Sequence, residues 1–448
     1  MWDKLEPTAP HLTYLILACF LITYALFSLF IRNRLHLSEP PLALLIGILV
    51  GPYCLNALDP KAWHFEDDVT YEFSRVILGI QVFVVGLELP KRYLPTHYPS
   101  VLMMLGPVMT LGWGICAAFI KLLIPSTTWP IALIIAACLT PTDPVLAASV
   151  LSNSQFSGRI PTRIKNLLSC ESGANDGSSF PFLYVGIAIL SNRATGPVIR
   201  DWFLITILYQ CALGIVIGLV LGYTANHILR FADTRKLIGE TTFVVFYLLL
   251  AVLGVGIAST LGIDDFLVCF AAGAAFSHDG WFADRTRESG LNNILDLLLN
   301  STFFVYFGTV IPWAMFRDSA LGLTPWRLLA LLGLVLLFRR IPVVLVLQRV
   351  IPDIRTWQEA LFCGHFGPMV RLPLLTTATP FLHFPTLHRS CHYLLTFPRA
   401  SAPSSSPWNP APSSNTPSNP TQVKHRPQST RSGPSSASSC WEVRLCMG

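Results

Sequence analysis

The stretch "CESGANDGSS", residues 170–179, places two carboxylates, Glu171 and Asp176, and the amide of Asn175 inside a block apolar enough to cross a bilayer. An ionisable group at the bilayer centre costs about 2.5–3.5 kcal/mol on insertion scales unless it is paired or wetted. Either these groups hold one another in a structural hydrogen-bonded pair, or they line a cavity that needs them. On a helix, Glu171, Asn175 and the Gly177–Ser178 turn fall near one face, and Asp176 lies about 100° on from Asn175. A carboxylate placed there answers to two influences, desolvation and nearby cations. A proton and a dehydrated monovalent cation then compete for one site, which is the simplest chemistry for exchanging them.

The composition around this stretch defines the class. Only 12% of the 448 residues are charged and 52% are hydrophobic, whereas soluble domains carry about 25% charged residues. The mean hydropathy of +0.54 and the long unbroken apolar blocks read as an all-α polytopic membrane protein. The net charge of +6 is spread over short loops, so it bears on topology and not on nucleic-acid binding. The eleven cysteines lie mostly in apolar blocks (Cys19, Cys116, Cys138, Cys211, Cys269) without a C-x-x-C pair, which suits small buried hydrophobes. No small-residue cleavage site follows the first block, so it is expected to serve as an uncleaved anchor.

Spans are expected near 12–31, 41–57, 70–90, 100–123, 128–151, 165–190, 203–228, 238–259, 262–278, 292–314 and 325–348. That makes about eleven complete spans, and a broken twelfth starts near 357. Loops after the odd-numbered spans hold most of the basic residues, among them Arg32, Arg34, Lys91, Arg92, Arg230, Arg349 and Arg355, while the alternate loops hold only Lys61, Arg193, Arg200 and Arg317. The positive-inside rule puts the odd loops in the cytoplasm and the N-terminus outside. The spacing in "LGIVIGLVLG", residues 213–222, permits close helix packing.

Three further places carry polar groups at membrane depth. In "ACLTPTDPVLAAS", residues 137–149, Pro141 and Pro144 remove backbone donors. The freed carbonyls, with Thr140, Thr142 and Asp143, suit a wetted or ion-binding cavity, although a plain proline kink would also break the helix there. In "LLFRRIPVV", Arg339 and Arg340 lie deep in an apolar run. One is expected to snorkel to an interface, and the other needs an acidic partner, best supplied by Glu171. In "LGIDDFLVC", Asp264 and Asp265 stand at a helix start, where the dipole favours them either as an N-cap or as a cation-attracting vestibule. There is no G-x-S-x-G, H-E-x-x-H or Walker loop, so neither an enzyme nor ATP-driven transport is indicated. No filter-like loop supports a channel.

"TPTDPVLAASV", "ESGANDGSSFPFLYV", "NSTFFVYFGTVIPW" and "EALFCGHFGPM" resemble the fungal plasma-membrane sodium/proton antiporters of the monovalent cation:proton antiporter superfamily, in order and with family-like spacing from residue 8 to Met369. The resemblance implies an inverted-repeat bundle with two discontinuous crossing helices, usually a homodimer. It exchanges cytoplasmic Na⁺, Li⁺ or K⁺ for external protons without a cofactor, for salt tolerance and pH homeostasis. It places the first crossing at Thr140–Pro144 and makes Asp176, beside Asn175, the carrier of cation and proton. It pairs Glu171 with Arg340 and marks Asp264 and Asp265 as functionally important.

The family pattern stops at Met369. Residues 8–369 thus read as the exchanger's transmembrane domain, and 370–448 as an aberrant Ser/Pro-rich tail unable to bury a core. Half of the second crossing helix and the last span are then expected to be missing. This chain would be impaired, a non-transporting product interfering through the dimer or held in the endoplasmic reticulum. Sequencing the native transcript across the codons for Met369 and Val370 is expected to reveal a Gly/Val-rich continuation; a message encoding "PMVRLPLL" as written would make the departure genuine.

Overall fold

The computed structural model describes residues 9–31, 39–60, 67–142, 160–191, 195–282, 291–317 and 322–366. Asp143, Pro144 and the 370–448 tail lie outside them. Fourteen helical elements are traced here: α1 (Ala9–Phe30), α2 (Glu39–Val50), α3 (Asp67–Leu87), α4 (Tyr93–Leu123), α5 (Trp129–Leu139), α6 (Thr162–Ser178) and α7 (Phe180–Leu190), followed by α8 (Gly196–Thr234), α9 (Glu240–Leu261), α10 (Asp265–Phe276), α11 (Leu291–Val310), α12 (Pro325–Phe338), α13 (Ile341–Leu347) and α14 (Trp357–Phe366). No β-strand occurs among the described residues.

Local chemistry explains where these helices begin and end. Pro130, Pro181, Pro325 and Pro342 each stand in a first helical turn, where a missing N–H costs nothing and the fixed φ favours the helix. Thr324 caps α12 by accepting a hydrogen bond from the Arg327 N–H. The α9 helix ends on Gly262 in the left-handed region, φ 68°, as the αL stop requires. Two residues later Asp264, in extended conformation, caps α10. This compact turn presents the start of α10 to the interior.

Two spans expected to be continuous are interrupted. The 165–190 segment divides at Ser179 into α6 and α7, because Pro181 has no N–H to offer the Gly177 carbonyl. The 325–348 segment divides at Arg339–Arg340, where Arg340 leaves helical geometry at φ −128° and Pro342 cannot bond back to Phe338. Both interruptions fall beside the polar stretches.

The α10 helix is the hub. All but one of its twelve residues are buried, and it packs along α3, α8, α9 and α6. The α8 helix reaches it through glycine: a Cβ on Gly218 would stand 2.4 Å from the Val268 carbonyl oxygen, and one on Gly222 only 2.1 Å from that of Ala272. The small-residue stripe therefore sets backbone-to-backbone contact between α8 and α10. A second apolar cluster joins α4, α5, α7 and α12, and a third joins α2, α3 and α11. The opposite faces of α1 and α8 remain apolar and exposed, with Ile22, Leu26, Phe27, Val216 and Val220 among their residues. Helices apolar on both faces are solvated by lipid.

Replacing Gly222 with Leu is expected to cost about 1–3 kcal/mol through overpacking, read as a lowered thermal midpoint of the detergent-purified protein. Gly256→Leu is the matched control, since a Cβ at Gly256 meets nothing within 4 Å. Equal midpoints for the two variants would contradict the packing described.

Candidate functional site

The α6 helix carries the site through the middle of the bundle, with every residue from Cys170 to Gly177 buried. Glu171, Ser172, Asn175 and Asp176 are each 3% exposed or less. Helical spacing stacks Glu171 under Asn175 and Ser172 under Asp176. The broken end of α5 meets this face. Thr142, three residues beyond the helix end, shares a hydrogen bond with the Ser172 hydroxyl (3.0 Å) and accepts one from Asn175 Nδ2 (2.6 Å). Thr140 donates back to the Ala136 carbonyl (2.6 Å) and closes the helix end. A small cavity bordered by Thr140, Glu171, Asn175, Arg339 and Arg340 adjoins these groups.

Among the described residues, two buried acceptors near Asp176 receive no hydrogen bond: Asn175 Oδ1 and Asp264 Oδ2. Buried polar atoms are nearly always satisfied, so bare oxygens beside a buried carboxylate form a donor set suited to a hard monovalent cation. Asp264 joins from the start of α10. Its Oδ1 accepts from the Leu267 N–H at 2.9 Å and would lie 2.8 Å from a Cβ placed on Gly177. Gly177 thus lets α6 lie directly on the start of α10.

The adjacent aspartates have separate partners. Asp264 caps α10 and faces α6, whereas Asp265 forms an ion pair with Arg75 Nε from α3 and meets the Ser259 hydroxyl at 3.5 Å. Arg75 was not singled out from the sequence, although an arginine in the apolar run "SRVILGIQVFVVGL" met the criterion used for the other ionisable groups.

Glu171 and Arg340 form a two-pronged pair, with Nη1 donating to Oε1 (2.5 Å) and Nη2 to Oε2. Both partners are buried, and the pair joins α6 to the interruption between α12 and α13. The snorkelling expected of the neighbouring arginine does not occur. Arg339 is 3% exposed, and its Nη1 donates to the Leu139 carbonyl at the end of α5. A guanidinium there opposes the negative end of the helix dipole. It can reach α5 because the α12–α13 interruption turns successive side chains in different directions. Asp143 lies outside the described residues, so the structure places Thr140 and Thr142 alone of the α5 group.

This is the architecture of the sodium/proton antiporter fold. It matches the structure of the sodium proton antiporter MjNhaP1 from Methanocaldococcus jannaschii with a TM-score of 0.60, at 18% identity, over 83% of this chain and 89% of that one. The family model described as "Sodium/hydrogen exchanger, transmembrane" matches residues 20–393, and the chain belongs to that family. It is 44% identical to Na⁺/H⁺ antiporter 2 of Zygosaccharomyces rouxii over 82% of its length and 43% identical to the Na⁺/H⁺ antiporter of Saccharomyces cerevisiae over 82%. The chain spans less than half of those two relatives, 46% and 38% respectively.

Breaking a buried ion pair by removing one charge costs about 3–5 kcal/mol, whereas replacing both partners with apolar groups can be neutral. Glu171→Gln is therefore expected to lose surface abundance and thermal stability, and Glu171→Leu with Arg340→Met to regain most of the stability. A Glu171→Gln protein as stable and abundant as wild type would show that the pair does not support the fold.

Proposed function

We propose that this protein is a secondary antiporter that moves Na⁺, and in the same site Li⁺ or K⁺, out of the cytoplasm in exchange for protons. The observation that carries this reading is the buried Asn175–Asp176 pair, set where the broken end of α5 meets α6, with Asn175 Oδ1 and the Asp264 Oδ2 of α10's cap both without a hydrogen bond among the described residues. Asp176 is the carrier. Deprotonated, it supplies the charge that compensates a dehydrated cation, with Asn175 Oδ1 and the oxygens of the Thr140–Thr142 turn in reach of the same space. Protonated, it returns neutral. One carboxylate cannot hold both, so binding of one ion displaces the other.

The remaining charges support this carrier. Glu171 is neutralised by Arg340 and does not compete for the cation. Arg339 satisfies the end of α5, and Asp265 is held by Arg75. Asp264 faces α6 across the Gly177 contact, as an acidic vestibule for the arriving cation. Sliding α6 relative to α10 would expose Asp176 alternately to the two sides. The names of the similar fungal proteins agree with Na⁺/H⁺ exchange as the activity. A plasma-membrane homodimer serving salt tolerance and pH homeostasis completes the proposal.

The test is Na⁺-driven proton flux in proteoliposomes. Wild type is expected to show a KM for Na⁺ that rises as pH falls, with an unchanged maximal rate, because protons and Na⁺ compete for Asp176. A folded wild type without flux would refute transport by this chain in favour of the non-transporting product. Asp176→Asn is expected to abolish flux while the protein remains monodisperse. Flux retained by Asp176→Asn, or Na⁺ flux without proton movement, would refute the assignment, the latter in favour of a channel.

A further inference from the structure

The pair between Glu171 and Arg340 leaves one buried donor over. The guanidinium meets the carboxylate end-on, through Nη1 and Nη2, so its Nε–H points off to the side. Among the described residues that Nε has no hydrogen-bond partner. One buried acceptor is left over as well. Asn175 uses its Nδ2 on Thr142, and its Oδ1 has no partner among the described residues. Arg340 is 4% exposed and Asn175 2%, so bulk water serves neither atom. A buried polar group without a partner costs more than a hydrogen bond contributes, and such groups are nearly always satisfied in folded proteins.

Both residues border the same small cavity, where the end of α5, the middle of α6 and the α12–α13 interruption meet. The space open to a water's centre there is about 10 Å³, close to the room that one water needs. The lining selects the occupant. A cation would face the guanidinium groups of Arg339 and Arg340, and an anion would be set against the Glu171 carboxylate and the bare amide oxygen. An apolar guest would leave both the donor and the acceptor unmet. The occupant that accepts one hydrogen bond and donates another within the space of a single oxygen is water. A third partner stands on the same wall. Thr140 uses its hydroxyl hydrogen on the Ala136 carbonyl, at 2.6 Å, and its oxygen can still accept.

We infer that this cavity holds one ordered water, which accepts from Arg340 Nε–H and donates to Asn175 Oδ1 and Thr140 Oγ1. The water joins three interrupted elements at one point. It also fixes the Asn175 amide at both ends, Nδ2 on Thr142 and Oδ1 on the water, so Arg340 is a positioning residue for Asn175 as well as the partner of Glu171. An amide oxygen has two lone pairs, and the second stays available to a cation at Asp176. That consequence rests on the antiporter reading; the water itself does not.

The experiment is a crystallographic or cryo-EM map of the full chain, detailed enough to resolve ordered waters, recorded in Na⁺ and again in Tl⁺. One peak is expected about 2.7–3.2 Å from both Arg340 Nε and Asn175 Oδ1, equally strong in the two salts. An unfilled space between well-resolved side chains, a protein side chain seated there, or a peak that strengthens in Tl⁺ would overturn the inference. The positioning role is read from the Na⁺ concentration that half-saturates thermal stabilisation of the same preparation. Gly112 of α4 borders the cavity, and a Cβ there would stand 3.1 Å from the Arg339 carbonyl oxygen. Gly112→Ala should displace the water and weaken Na⁺ binding about twofold to tenfold. Gly112→Ser adds the same Cβ with a hydroxyl that donates and accepts in the water's place, and should restore most of the affinity. Equal loss in the two variants, or undiminished affinity in a Gly112→Ala protein whose map lacks the water, would show that Arg340 does not position Asn175. A wild type that Na⁺ fails to stabilise would refute the carrier reading and the positioning role with it, while the map still decides the water.

Discussion

The pairing of Glu171 with Arg340 is the interaction on which the rest of this bundle depends. Each charge alone would be prohibitively costly at membrane depth, and together they fasten α6 to the interruption between α12 and α13. The pair fixes the height of α6, and so the height of Asn175 and Asp176 against the broken end of α5. It also carries Arg339 into the interior one residue away, where the guanidinium meets the Leu139 carbonyl. A buried acid–base pair is weak support for stability in itself. Its value here is register: two interrupted helices must meet within hydrogen-bonding tolerance, and a two-pronged contact permits one arrangement.

A second constraint comes from glycine. Gly218 and Gly222 bring α8 into backbone contact with α10, and Gly177 brings α6 onto the start of α10. The result delivers Asp264 to the neighbourhood of Asp176 even though 88 residues separate them in sequence. Charge is then divided by geometry. Asp265 turns towards Arg75, while Asp264 keeps one oxygen on the α10 cap and leaves the other bare. Adjacent residues of the same type acquire different chemistry because successive side chains on a helix start point about 100° apart.

Much of this was legible in the residues. Long apolar blocks with few charges allow only a helical membrane bundle, since no other open structure satisfies its backbone in lipid. The polar groups of 170–179 and the prolines at 141 and 144 stood out because lipid makes them conspicuous. The helix interruptions at Ser179 and Arg339–Arg340 were signalled by Pro181 and Pro342, yet hydropathy averages over such breaks and hides them. Arg75 was overlooked because a single arginine near the start of a span resembles an interfacial residue until its partner is seen.

The sequence by itself determined the class of protein, the family resemblance, the identity of the buried ionisable groups and the glycine spacing that allows tight packing. These follow from composition and local period, which depend on neighbours along the chain. Only the tertiary structure decided that Arg339 turns inward to α5, that Asp264 and Asp265 part company, and that Asn175 Oδ1 has no hydrogen bond among the described residues. Those outcomes depend on which helix lies opposite, and partners far apart in sequence are chosen by packing across the bundle rather than by any pattern along it.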